Sequence, residues 1–246
     1  MKVLFADTLP QRTIDNITSL GIQVVNKPKL KAEELASAIE DADVLVVRST
    51  EVHADCIAAA KNLSLIIRAG AGVNNIDMNA ANARGMYVSN CPGKNSIAVA
   101  ELAMGLLLSL DRRIPDNVAD LRKGKWNKSE YSKADGIYGK TVGVIGTGQI
   151  GQEFILRARA FGMNVIAWSR SLTTEKADAM GVMKAESIAE LIPQCDVISV
   201  HLALKPETKR IITKELIGMM RPNTLFLNTS RWEVVDEEAL YEAAAA

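Results

Sequence analysis

The sequence predicts an α/β protein made of two doubly wound parallel sheets. Three observations carry that prediction. Apolar strand-like runs and helical stretches alternate along all 246 residues, the pattern of parallel strands joined by helical crossovers. The strand runs are continuous and β-branched, which suits strands buried on both faces. A glycine-rich turn, Gly146-Thr147-Gly148-Gln149-Ile150-Gly151, directly follows one such run and opens a helix.

In chain order, residues 3–6 read as the first strand and 11–20 as a helix closed by Gly21. Strands follow at 22–25, 44–47 and 63–67, with helices at 31–41 and 54–61 between them. A short helix near 76–83 ends at Gly85, and 86–89 is one more strand. The turn cluster at 90–95 marks a domain boundary, giving expected domains at 1–94 and 95–246. The spacing predicts a long helix over 96–113, with Val99, Leu102, Ala103, Leu106, Leu107 and Leu110 on a wide apolar face and Pro115 marking its end. A second series has strands at 141–145, 164–168, 196–200 and 224–228, and a weaker one at 182–184. The last four alanines either finish a helix or stand for unassigned residues.

Composition narrows the function. Lys plus Arg number 29 and Asp plus Glu number 29, so no global basic field is present to coat nucleic acid or an anionic membrane. The run 102–108 is too short to span a bilayer, and residues 1–8 read as a strand, not a signal peptide. Cys56, Cys91 and Cys195 are widely spaced and form no CxxC, so reduced thiols in a cytoplasmic protein are expected and no metal site is.

The glycine turn carries chemistry. GxGxxG alone is a weak pattern, but between a buried strand and a helix it indicates dinucleotide binding. Gly146 makes the tight turn, Gly148 admits the pyrophosphate, and Gly151 lets helix and strand pack closely. Gln149 and Ile150 then offer free N–H groups at the helix start. The next strand should end in a carboxylate for the ribose 2′-OH. It ends in Trp168-Ser169-Arg170-Ser171 instead. A hydroxyl beside a guanidinium suits a 2′-phosphate, so NADP is favoured over NAD. The alternative is that Arg170 stacks on adenine or faces water.

Several stretches now resemble one family, the D-isomer-specific 2-hydroxyacid dehydrogenases, and within it the phosphoglycerate dehydrogenase branch most of all. They are Val47-Arg48-Ser49-Thr50, the run Arg68 to Asp77, Asn95-Ser96 with Ala100-Glu101-Leu102, His201 to Leu204 with Pro206-Glu207-Thr208, and Asn228-Thr229-Ser230-Arg231 with Val234 to Glu237. The resemblance implies a flavodoxin-like substrate domain and a Rossmann-type nucleotide domain, a homodimer formed through the latter, and hydride transfer to or from a small 2-hydroxyacid. The expected substrate pair is 3-phosphoglycerate and 3-phosphohydroxypyruvate, in serine biosynthesis. The alternatives are an NADPH-dependent glyoxylate or hydroxypyruvate reductase, and a dinucleotide-sensing protein such as a transcriptional corepressor.

Site roles follow from the same resemblance. Arg231 maps onto the catalytic arginine that grips the substrate carboxylate and carbonyl oxygen. Ala71, Gly72, Val73 and Asn74 map onto the loop that holds the carboxylate on backbone N–H groups. Arg48 and Arg68 fall where cations meet a substrate phosphate, with surface salt bridges as the alternative. His201, Ala203 and Thr229 fall beside the cofactor. The family's glutamate and histidine lie C-terminal to the arginine motif, and the chain stops before either. It is therefore expected to be incomplete or to bind without catalysing. His53 and His201 are poor substitutes for that histidine. Trp232 stands where relatives carry glycine, and Ala203 where proline is common.

Overall fold

The computed structural model describes residues 1–245. The chain divides into two compact units, Met1–Asn95 and the residues from Ser96 on.

The first unit runs β1 (Lys2–Phe5), α1 (Gln11–Ser19), β2 (Gln23–Asn26), α2 (Ala32–Ala38), β3 (Val44–Val47), α3 (Ala54–Ala59), β4 (Leu65–Arg68), α4 (Met78–Ala83) and β5 (Tyr87–Ser89). All strands pair in parallel, in the order β2-β1-β3-β4-β5. The continuous apolar runs predicted two buried faces, and both exist. Leu4, Leu45 and Ile66 pack with Leu35 and Ile57 on one side. Val3, Phe5, Val44 and Val46 pack with Ile17 on the other. Adjacent residues of a strand point to opposite faces, so an unbroken apolar run is what such a strand requires.

The second unit runs α5 (Ser96–Asp111), α6 (Ile114–Arg122), α7 (Lys128–Tyr131), β6 (Thr141–Ile145), α8 (Gln149–Ala160), β7 (Asn164–Trp168), α9 (Thr174–Met180), β8 (Met183–Lys184), α10 (Ile188–Leu191), β9 (Val197–Val200), α11 (Lys214–Gly218), β10 (Leu225–Asn228) and α12 (Glu237–Ala245). Its strands are also parallel, in the order β10-β9-β6-β7-β8. Val142, Val144, Val165 and Val197 meet Ala103, Leu107 and Phe154 on one face. Ile145, Ile166, Ile198 and Val200 meet Leu191 and Ile217 on the other. Ala243 to Ala245 continue α12; Ala246 lies outside the described residues.

One expectation for residues 96–135 needs correction, and one is refined. The wide apolar face predicted for α5 is divided between buried and exposed residues. Ala103 and Leu107 are buried with Ala100 and Met104, whereas Leu102, Leu106 and Leu110 are exposed. The helix is apolar nearly all round, so residue spacing could not select the packed side. Pro115 does not mark a stop; it sits in the first turn of α6. There its missing N–H leaves nothing unsatisfied, and its fixed φ is already helical. Arg113, at φ 49°, makes the break between the helices. It bonds Glu130 at 2.7 Å and lies over the Tyr131 ring. No residue of α6 or α7 is buried, and the apolar residues Ile114, Val118 and Leu121, at helical spacing, are left exposed.

Candidate functional site

In the first unit the candidate residues collect at the carboxyl edge of the sheet, where open α/β folds bind ligands. Arg68 ends β4 and Arg48 follows β3, its direct neighbour, with Val47 paired to Arg68. Neither arginine makes an ion pair among the described residues. The loop that carries Arg48 is pinned by Asp7. Its Oδ2 accepts the backbone N–H groups of Arg48, Ser49 and Thr50 at 2.6, 3.1 and 3.1 Å. Burial alone would raise the Asp7 pKa. The three amides outweigh it and hold the carboxyl below its usual value.

The 68–76 loop is fixed mainly through its carbonyls. Gly70 O accepts from Cys91 N at 2.9 Å, and Ala71 O accepts from Asn90 Nδ2 at 2.7 Å. The backbone N–H groups of Ala71, Gly72, Val73 and Asn74 meet no acceptor among the described residues. Four consecutive backbone N–H groups without an acceptor are the kind of donors that an anion can take up. Arg68 folds back over Gly70. A Cβ there would lie 1.5 Å from its Nη1, so the loop and the arginine share one placement.

In the second unit, Gly146 takes φ +106°, and a Cβ there would lie 2.7 Å from the His201 carbonyl oxygen. Gly146 N donates to Trp168 O at 2.8 Å, tying the turn to the end of β7. The N–H groups of Gly148, Gln149 and Ile150 meet no acceptor among the described residues. The first turn of α8 holds no acidic residue, so its positive end is open to an anion. A cavity of about 420 Å³ adjoins this turn. It brings together Gly146, Gly148, Ser169, Arg170, His201 and Ala203, as well as Trp168 and Glu207.

These residues fit a dinucleotide. The amides are free, a Cβ at Gly148 would meet nothing within 4 Å, and His201 Nδ1 is buried without a partner. Thr229 and Arg231 do not line this cavity. Arg231 lines a separate one of about 270 Å³ with Asn228, Ser230 and Trp232.

His201 is 9% exposed. Its Nε2 bonds Ser199 Oγ at 2.9 Å, and its ring lies 5.0 Å from that of Phe154. Burial pulls its pKa down to about 4, so it is neutral at pH 7 and a poor proton donor. The unfolded imidazole takes a proton below about 6.5, while the folded one stays neutral until about 4. The stability that neutral His201 contributes above pH 6.5 is therefore lost as pH falls toward 4. The loss is expected to reach about 3 kcal/mol. Urea unfolding across this range should show it in the wild type and not in His201→Asn. Equal slopes for the two proteins would reject the burial argument.

Three residues important to the site's geometry were not singled out from sequence. Asp7 anchors the Arg48 loop. Asn228 clamps the Arg231 turn: Oδ1 accepts from Ser230 N and Oγ, and Nδ2 donates to Arg231 O at 2.9 Å. Glu207 bonds Arg170 at 3.0 Å. Asp7 and Asn228 were legible as polar residues at or just past strand ends. Glu207 was not, because it lies 37 positions from Arg170. The sequence has no carboxylate directly after β7, and the fold brings Glu207 beside Arg170 from another loop.

Comparison with known proteins agrees with this geometry. The sequence profile for the D-isomer specific 2-hydroxyacid dehydrogenase NAD binding domain matches residues 104–246. A D-3-phosphoglycerate dehydrogenase of Methanocaldococcus jannaschii is 45% identical over 244 residues, 99% of this chain and 46% of that protein. The chain thus spans about half the length of the curated relatives it matches. The TT0316 protein of Thermus thermophilus superposes with a TM-score of 0.90 at 33% identity, covering 100% of this chain and 79% of that one. An acyclic imino acid reductase solved with NADPH and D-Arg superposes at 0.87 and 31% identity, covering 98% and 78%. With a parallel sheet, a glycine turn and a profile match over more than half its length, the chain belongs to the D-isomer specific 2-hydroxyacid dehydrogenases.

Proposed function

We propose that this protein moves a hydride between a nicotinamide dinucleotide and a D-2-hydroxyacid, with 3-phosphoglycerate and 3-phosphohydroxypyruvate as the substrate pair. The observation that carries the proposal is the start of α8, where free amides and an acid-free first turn face a cavity that ends at Ser169 and Arg170. When bound, the nicotinamide would supply or accept the hydride, and a general acid–base group other than the buried, neutral His201 would exchange the hydroxyl proton. The chain's own residues bind and orient. Gly148, Gln149 and Ile150 receive the pyrophosphate, and Ser169 and Arg170 read the adenosine ribose. In the second unit Arg231 serves as the arginine for the substrate's carboxylate and carbonyl oxygen, and in the first unit the Ala71–Asn74 amides serve as donors to a carboxylate. NADPH is preferred over NADH, since Ser169 and Arg170 offer donors to a 2′-phosphate.

The phosphorylated substrate is supported by Arg48 and Arg68, two unpaired cations on adjacent strand ends, and by the name of the M. jannaschii relative. Replacing either with alanine should weaken use of 3-phosphohydroxypyruvate about ten- to a hundredfold more than use of hydroxypyruvate. That is the worth of a charge-assisted contact of about 1.5–3 kcal/mol. Steady-state kinetics on both oxoacids decide it. Equal losses would favour the glyoxylate or hydroxypyruvate reductase reading, which the Ser169-Arg170 pair also supports. The exposed Leu102, Leu106 and Leu110 of α5 support a homodimer through the nucleotide unit. The three free thiols suit a cytoplasmic location. No described helix is long and apolar enough to cross a membrane.

A further inference from the structure

We infer that Glu207 sets the dinucleotide preference by competing with the cofactor's 2′-phosphate for Arg170. The inference rests on the dinucleotide site proposed above and adds a residue that decides which dinucleotide it takes. Both side chains line the cavity beside the glycine turn. Arg170 Nη1 donates to Glu207 Oε1 at 3.0 Å, and Arg170 bonds no other group among the described residues. The two residues come from different loops, one after β7 and one in the 3-10 turn Pro206–Thr208 after β9. Each loop is separately fixed. Ser169 Oγ and Thr147 Oγ1 lie 2.8 Å apart. Thr208 Oγ1 donates to Ala203 O at 2.7 Å and accepts from Lys205 N at 2.8 Å.

The chemistry then has a direction. A 2′-phosphate carries nearly two negative charges and offers three acceptor oxygens, so it seeks the Arg170 guanidinium. Glu207 already occupies that guanidinium and would also repel the phosphate. A 2′-OH has no net charge and meets neither penalty. Arg170 and Glu207 are 73% and 47% exposed, so the pair is partly screened by solvent and its effect is moderate. The ion pair thus narrows the NADPH preference that Ser169 and Arg170 create.

The test measures dissociation constants of NADPH, NADH and adenosine 2′,5′-bisphosphate by calorimetry on the whole protein, with tryptophan fluorescence as a second readout. Glu207→Gln keeps the shape and removes the charge. It should raise the ratio of NADPH to NADH affinity about three- to tenfold at low salt, and less at high salt. Adenosine 2′,5′-bisphosphate affinity should rise by a similar factor. Arg170→Ala should lower the ratio, and in its background Glu207→Gln should change the ratio less than twofold. An unchanged ratio in Glu207→Gln would overturn the inference. So would an equal rise in the Arg170→Ala background, because Glu207 would then act on the phosphate without the arginine. Failure of the wild type to bind either dinucleotide would remove the proposed function itself, and the inference with it.

Discussion

Gly151→Ala is expected to abolish measurable dinucleotide binding and to destabilise the nucleotide unit by about 1–3 kcal/mol, as overpacking a tight contact does. A Cβ at this position would lie 2.0 Å from the Gly146 carbonyl oxygen and 3.1 Å from its carbon. The obstacle is backbone, so no rotamer change relieves it. Relief requires α8 to move away from β6, and that movement carries the free amides of Gln149 and Ile150 out of the turn. Gly148→Ala provides the contrast. No atom lies within 4 Å of its ideal Cβ, so folding should survive while the added methyl obstructs a ligand. Calorimetric titration with NADPH and urea unfolding separate the two effects. Normal binding by Gly151→Ala would mean that the turn is a packing device and not a pyrophosphate site.

Arg231→Ala should reduce kcat/KM for the 2-oxoacid about 10²- to 10³-fold, the scale measured for removing one preorganised donor to a developing oxyanion. The dinucleotide dissociation constant should change little, because Arg231 lines a cavity separate from the glycine turn. Its placement supports the role. Asn228 locks the turn from both sides, and Arg231 makes no ion pair among the described residues, so its charge is free for an anion. Its one side-chain bond is Nη1 to Ser230 O at 2.9 Å. Arg231→Lys should recover little, since a single ammonium cannot hold a carboxylate and a carbonyl oxygen in one planar fork. Full activity in the lysine variant would show that charge alone suffices and would reject bidentate holding.

Much of the fold was legible because its signals are local. An apolar run such as Val44–Val47 must be buried on both faces wherever it lies, and a glycine turn after a strand permits few backbone paths. Helix faces were less legible. The α5 sequence is apolar nearly all round, so its packed side was chosen by α8 and β10 and not by its own pattern. In α6 and α7 nothing is buried: Ile114, Val118 and Leu121 recur at helical spacing but meet no core of this chain, and Arg113 pairs with Glu130 at the break between the helices.

The same division runs through the candidate site. By itself the sequence determined two parallel-sheet units, the glycine turn with its open helix start, and the positions of Arg48, Arg68 and Arg231 at or just after strand ends. Those features depend on residues within a few positions of each other, and parallel strands deliver their ends to one edge of each sheet. Only the tertiary structure decided which groups meet within each unit. It brought the Asp7 carboxylate under the Arg48 loop, 41 residues away, and Glu207 to Arg170, 37 residues away. It also buried His201 deeply enough to keep it neutral. Sequence spacing encodes none of these, because Coulombic attraction and desolvation depend on distance and solvent access in the folded chain.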